Sequence, residues 1–156
     1  MKTHAVKIKV IFNAPVEKVY SLLNDHPTLG KIYGIKMSRI IDSNDVGNLN
    51  GVGSVRRFSI GLPMEETVVK SEKNKRIDYT MTKGMHFFSS HYGTMIFQAL
   101  NVKQCELDYI ITVGVKFPIL SKAILNIVGA SIKKGLNNLN VKLTANPDYM
   151  IKQMKL

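Results

Sequence analysis

Residues 118–144, PILSKAILNIVGASIKKGLNNLNVKLT, form the stretch on which the fold turns. Large apolar residues recur at Leu120, Ile124, Ile127, Val128, Ile132, Leu136, Leu139 and Leu143. Steps of three and four residues, with a single one-residue step, are the period of a helix that buries one face. Pro118 suits a first helical turn, where a missing N–H costs nothing. Asn146-Pro147 marks the end, because a proline disfavours helix in the residue before it. Such a helix spans about 40 Å. Gly129 and Gly135 lie inside it, each costing roughly 1 kcal/mol against alanine. Close approach of another backbone, or of a ligand, would compensate. The pattern predicts a curved sheet wrapped around this helix, with a cavity between the two.

Composition is consistent with that picture. The chain has 156 residues, 45% hydrophobic and 21% charged, which reads as one globular domain over residues 1–156 with a real core. No apolar run reaches the length of a membrane span. The start of the chain, Met1 to Val6, alternates charge with apolar residues and lacks the apolar block of a signal peptide, so a cytoplasmic location is expected. One cysteine, Cys105, excludes an internal disulfide and fits a reducing compartment. The net charge of +11 raises encounter rates with anions of any kind. The basic residues are scattered, however, with clusters only at Arg56-Arg57, Lys73 to Arg76 and Lys133-Lys134. That distribution reads as a solvated surface and not as a nucleic-acid patch.

Taken in order, residues 4–12 alternate Val6, Ile8, Val10 and Phe12 against Lys7 and Lys9, a half-buried strand. Asn13 is placed to cap a short amphipathic helix over 15–24 that carries Val16, Val19, Tyr20 and Leu23. Asp25 to Gly30 is rich in helix breakers and has room for one more helical turn. Strands are expected over 35–41, 55–60, 64–72, 76–82, 90–100 and 104–115. The turns between them fall at Gly61-Leu62-Pro63, Lys73-Asn74-Lys75 and Asn101-Val102-Lys103. A polar loop fills 42–53, and 83–88 is a further connection. Six strands joined by short turns imply an antiparallel meander. The last ten or so residues read as a frayed tail.

This order resembles the helix-grip fold of the START-like (SRPBCC) superfamily, which includes the birch-pollen-allergen and polyketide cyclase/dehydrase types. The stretches that carry the resemblance are Phe12 to Tyr20 at the first strand–helix junction, Gly51 to Phe58 entering the third strand, Arg76 to Tyr79 in the fifth, and the terminal helix. It implies an α+β architecture with about seven strands around the last helix. It also implies an internal cavity for sterols, lipids, hormones or polyketides, with catalysis in only some members. The chain departs from many relatives in having no tryptophan after the first helix, where Leu29, Ile32 and Tyr33 stand instead.

Strand alternation assigns an inward face. It turns Arg56, Phe58 and Ile60 inward on the third strand, and Glu66 and Val68, with Met64, on the fourth. On the fifth it selects Tyr79 and Met81, with Ile77. On the sixth, Met95 and Phe97 are chosen over Ile96, in phase with His91 and Gly93. On the last strand Tyr109, Ile111 and Val113 follow Leu107. The facing helix offers Ile124, Ile127, Val128 and Ser131. Arg56 and Glu66 fall on neighbouring strands and should pair, because an unpaired buried charge is costly. Such a pair could anchor the polar end of a ligand, or stand as a rim pair in solvent. Tyr79 and Tyr109 add hydroxyls to an apolar pocket. The methionines Met81, Met85 and Met95 suit an adaptable wall as well as ordinary core filling.

Several kinds of chemistry lack their motifs. The four histidines, His4, His26, His86 and His91, have no metal-ligand spacing, so no metal and no cofactor is expected. Gly51-Val52-Gly53-Ser54 lacks the lysine of a phosphate loop. Cys105 has no partner for a nucleophilic triad. The leading expectation is therefore a carrier or sensor of a hydrophobic or amphipathic small molecule, with the net charge hinting at an acidic one. The alternatives are a polyketide-cyclase-like enzyme, with Glu66, Arg56, His91 and Tyr79 as acid–base candidates, and a basic platform for a protein partner. No nucleic acid is expected. Monomer and homodimer are both open. An exposed Met85-His86-Phe87-Phe88 would suit a gate or a tip touching an anionic membrane.

Overall fold

The computed structural model describes residues 2–149. The elements run β1 (Thr3–Phe12), α1 (Val16–Asn24), α2 (His26–Tyr33), β2 (Met37–Ile41), β3 (Val55–Ile60), β4 (Leu62–Glu72), β5 (Arg76–Lys83), β6 (Phe88–Asn101), β7 (Gln104–Val115) and α3 (Pro118–Ala145). The strands form one seven-stranded sheet in the order β1-β7-β6-β5-β4-β3-β2, antiparallel at every pairing. This is the helix-grip architecture that the sequence implied: a meander from β2 to β7, with β1 returning to the free edge of β7. The frayed tail expected at the end of the chain falls, from residue 150, outside the described residues.

Burial follows the pleat. Along β7, Leu107, Tyr109, Ile111 and Val113 are buried, and Met95 and Phe97 are the buried face of β6 while Ile96 is exposed. Besides shifts of a residue or two at strand ends, the structure corrects the sequence reading at the β3–β4 turn, at α2 and at Asn13. The β3–β4 turn is tighter than Gly61-Leu62-Pro63: Ile60 pairs directly with Leu62 across Gly61, whose φ of +77° suits glycine. The segment after Asp25 is a full helix, because the Asp25 side chain accepts from the Thr28 N–H at 3.1 Å and Pro27 sits in the first turn. Asn13 caps nothing. Its N–H donates to Asn140 Oδ1 and its side-chain amide to Thr144 Oγ1, and it accepts from Gln104. With Asn140 donating to the Ile11 carbonyl, it clamps the end of β1 to the last turns of α3.

The course of α3 positions the site. Its close backbone approaches are to β1 and to α2, not to the central strands. Both internal glycines lie at those contacts. A Cβ on Gly129 would press on Val6 of β1, and one on Gly135 would overlap the Ile32 carbonyl of α2. Leu136, Leu139 and Leu143 are buried against the clamped end, whereas Leu120 and Ile127 nearer the start are exposed. Leu125, absent from the periodic set, is buried in their place, with Ser121. The helix is therefore packed down over its C-terminal half and stands off the sheet over its N-terminal half.

At the first turn of α2, His26 is almost wholly buried. Its Nδ1 has no hydrogen-bond partner. Burial, reinforced by the charges of Arg56 and Arg39, holds its pKa down to about 3 from 6.5. The unfolded chain takes up a proton at this histidine near pH 6.5 and the native chain does not. Stability is thus full above pH 6.5 and declines as pH falls toward about 3. His26→Gln should lower the slope of unfolding free energy between pH 6.5 and 5, in urea titrations, by up to about 1.4 kcal/mol per pH unit. An unchanged slope would show that the imidazole takes up its proton in the folded protein.

Candidate functional site

The lift of α3 opens a cavity of about 420 Å³ between its N-terminal half and the concave face of the sheet, within the usual size range of small-molecule sites. Its walls are mostly apolar. Phe58 and Ile60 of β3, Met81 of β5, and Ile111 and Val113 of β7 face Ile124, Val128 and Ser131 of α3 across it. Ile127 lines it as well, at the exposed edge of the helix. Val68, Met95 and Phe97 share the inward face but do not border the cavity; they lie in the closed core, where Phe97 packs edge-on against Tyr20 of α1. Sequence reasoning did not assign to the wall Tyr33 at the end of α2, Ile35, or the loop residues His86 and Phe87, although it read that loop as a gate or tip. A loop gives no alternation from which to read a facing direction.

Polar groups converge at the inner end. Arg56 and Glu66 are directly opposed in the β3–β4 register, and Arg56 Nε donates to Glu66 Oε2 at 2.7 Å. Their side chains are 3% and 8% exposed, so they form a buried pair and not the solvated rim pair that the sequence left open. Burial alone would lower the Arg56 pKa, but Glu66, with Tyr79 and Tyr109, outweighs it and the net direction is upward. The guanidinium carbon lies 4.2 Å from the centre of the Tyr79 ring, a cation–π contact. That ring can lie where it does because residue 93 on the neighbouring strand is glycine; a Cβ there would overlap it. The Tyr79 and Tyr109 hydroxyls hydrogen-bond to each other. Burial lifts both phenols well above their usual pKa, so both are neutral donor–acceptors.

His91 on β6 completes the group. Its Nε2 lies 3.8 Å from Glu66 Oε1, and burial pulls its pKa down despite the upward pull of that carboxylate. At neutral pH the imidazole is uncharged. Its buried Nδ1 has no hydrogen-bond partner, and neither has the buried hydroxyl of Tyr33. Both residues line the cavity. The inner end therefore carries no net charge, since Arg56 and Glu66 cancel, and it presents two unused polar atoms. The remaining sequence candidates lie elsewhere. Cys105 is fully buried in the core, and burial, with Glu17 adding to it, pushes its thiol up to about 11. Among the described residues, no group of His, Cys, Asp and Glu could hold a metal ion, and no helix is long and apolar enough to cross a membrane.

The fold with its roofed cavity is of the helix-grip type. Among solved structures, the chain is similar to a START superfamily protein from Mycobacterium smegmatis, with a TM-score of 0.74 and 18% identity over 90% of this chain and 99% of that one. It is similar to the Zhui aromatase/cyclase from Streptomyces sp. R1128, with a TM-score of 0.75 and 12% identity over 96% and 100% of the two chains. It is similar also to norcoclaurine synthase from Thalictrum flavum, with a TM-score of 0.69 and 13% identity over 96% and 90%. No family model matches the sequence, and no curated protein matches it. At these identities the likeness carries the fold, and the site must be argued from its own residues.

The buried ion pair offers a test of this geometry. Glu66→Leu strands the Arg56 charge and should cost about 3–5 kcal/mol, whereas Arg56→Met with Glu66→Leu should restore most of the loss. The pair is read by a double-mutant cycle in chemical denaturation. Additive losses would place the two side chains in solvent and not against each other.

Proposed function

We propose that the protein binds a hydrophobic small molecule in the cavity beneath α3, as a carrier or sensor. The observation that carries this reading is the pairing of an apolar 420 Å³ chamber with a single polar cluster at its inner end. Transfer of an apolar body into the chamber supplies the affinity, at about 25 cal/mol per Å² of apolar surface removed from water. The polar end of the molecule is oriented by His91 Nδ1 and the Tyr33 hydroxyl, which lack partners. Because Glu66 already answers the Arg56 charge, an uncharged head fits better than the acidic one suggested by the overall charge. A phenol, alcohol or ketone can use a neutral imidazole and a neutral phenol without displacing the ion pair. Norcoclaurine synthase, similar in fold, is described in complex with dopamine and hydroxybenzaldehyde, molecules that bear phenolic heads.

A second reading rests on the same cluster. Glu66, held by Arg56 and 3.8 Å from a neutral histidine, is arranged as an acid–base group, and the similar Zhui protein is an aromatase/cyclase. In such an enzyme Glu66 or His91 would move a proton on a chain folded by the apolar walls. The interaction-platform reading gains least, since it supposes a collapsed cavity.

Two substitutions separate these readings. Val128→Trp fills the chamber from α3 and should weaken binding of the neutral fluorescent probe N-phenyl-1-naphthylamine at least about tenfold, with the circular dichroism spectrum unchanged. Unchanged probe affinity would refute the cavity as the binding site. With a bound molecule identified, Glu66→Gln should lower turnover by about 100-fold or more if the protein is an enzyme. In a carrier the same change would alter affinity by less than about tenfold.

A further inference from the structure

The mouth of the cavity is ringed by apolar side chains that the fold leaves uncovered. They come from three separate elements. The β3–β4 turn contributes Ile60 and Leu62, the β5–β6 loop contributes Phe87, and the start of α3 contributes Phe117, Ile119 and Leu120, all exposed. These elements are tied into one rim. The Ser121 hydroxyl donates to the Phe87 carbonyl at 3.1 Å and Lys116 Nζ to the Met85 carbonyl at 3.2 Å. Gly84 sits so close to Pro63 and Met64 that a Cβ would clash with them. Ile60, Leu62 and Phe87 also line the cavity, so the rim and the chamber are continuous.

The charge around this rim has one sign. The sequence has no Asp or Glu from residue 79 to 105, nor from 109 to 147. The β5–β6 loop and the whole of α3 fall in those two spans. The carboxylates nearest the β3–β4 turn are Glu65 and Glu66, and both are occupied in ion pairs. Lys116 and Lys122 are exposed beside the apolar residues, while Lys83 at the base of the loop is the partner of Glu65. A contiguous apolar tip inside a cationic collar free of competing carboxylates is complementary to a surface that is oily within and negative at its face.

We propose that this rim docks on an anionic lipid bilayer, with Ile119, Phe117 and Phe87 entering the headgroup–acyl boundary and the lysines meeting lipid phosphates. Docking there places the open mouth against the acyl region, so a hydrophobic cargo passes between bilayer and chamber without crossing water. The cargo step rests on the ligand-binding reading above; the docking step does not.

The test is sedimentation of the full chain with phosphatidylcholine vesicles, with and without about a third phosphatidylglycerol. The expected result is binding to the anionic vesicles at least about tenfold stronger than to the neutral ones, reduced severalfold by high salt. Ile119, 88% exposed, tolerates substitution, and Ile119→Glu should weaken vesicle binding at least about tenfold. Val102 is 84% exposed at the β6–β7 turn, the opposite end of β6 from the rim. Val102→Glu should leave binding within about twofold of the parent. Absence of binding to anionic vesicles, or equal binding by Ile119→Glu, overturns the proposal. So does a dimer that Ile119→Glu dissociates while vesicles stay unbound, which would give the rim to a second copy of the chain. Val128→Trp, measured beside them, should lose the soluble probe and still bind vesicles. If it keeps the probe, the chamber reading fails and docking stands on its own data.

Discussion

The structure depends on where α3 is fastened. Its C-terminal half is held by three things at once: the burial of Leu136, Leu139 and Leu143, the contact of Gly135 with the Ile32 backbone, and the clamp of Asn13, Asn140 and Thr144. Its N-terminal half buries Leu125 but is otherwise held more lightly, by the Gly129–Val6 contact at one edge of the sheet and the Ser121 bond to the β5–β6 loop. A rigid helix so held cannot follow the curvature of the sheet, and the space it fails to fill is the cavity. Interiors are otherwise packed to the density of organic crystals, so an apolar chamber of this size is a feature of the design. The two glycines within the helix, each a local cost in helix propensity, are explained by the contacts that their missing side chains permit.

The polar cluster follows from the same geometry. Its members come from four adjacent strands, β3 to β6, joined by Tyr109 on β7, and sheet pairing alone sets Arg56 against Glu66 and Tyr79 over Gly93. Burying that much polarity is tolerable only because nearly every group is answered: cation by carboxylate, phenol by phenol, guanidinium by aromatic face. The exceptions, His91 Nδ1 and the Tyr33 hydroxyl, stand where a bound molecule would complete the network. A closed, charge-neutral polar end facing a long apolar wall selects for shape and for hydrogen-bond pattern, not for charge. The strong net positive charge of the chain thus belongs to its outer surface and not to the site.

Much of this was legible in the residues. Period-2 alternation identified the inward face of every strand from β3 to β7, including the ambiguous β6, and so brought Arg56, Glu66, His91, Tyr79 and Tyr109 together before any coordinates. Alternation reports which face a side chain takes, but not how far along the sheet the helix lies close. Alternation therefore groups Val68, Met95 and Phe97 with the cavity wall, although they sit in the closed core, with Phe97 against Tyr20 of α1. The same limit applies to the helix. Its apolar period marked Leu120 and Ile127 as core-facing, whereas the turns that stand off the sheet leave them exposed and bury Leu125. Asp25-His26-Pro27 read as a break because each residue disfavours a helix interior, while together they start one. The rim residues His86 and Phe87 had no periodic signal, being in a loop.

The central claim is that the space under α3 is a binding site and not a packing defect. Native mass spectrometry of the protein purified from its own host tests it most directly. The account predicts a population heavier than the bare chain by one small molecule, which organic solvent extracts and which Val128→Trp does not retain. A single bare mass from the unaltered protein, together with crystals whose chamber is closed by side chains moving into it, would contradict it.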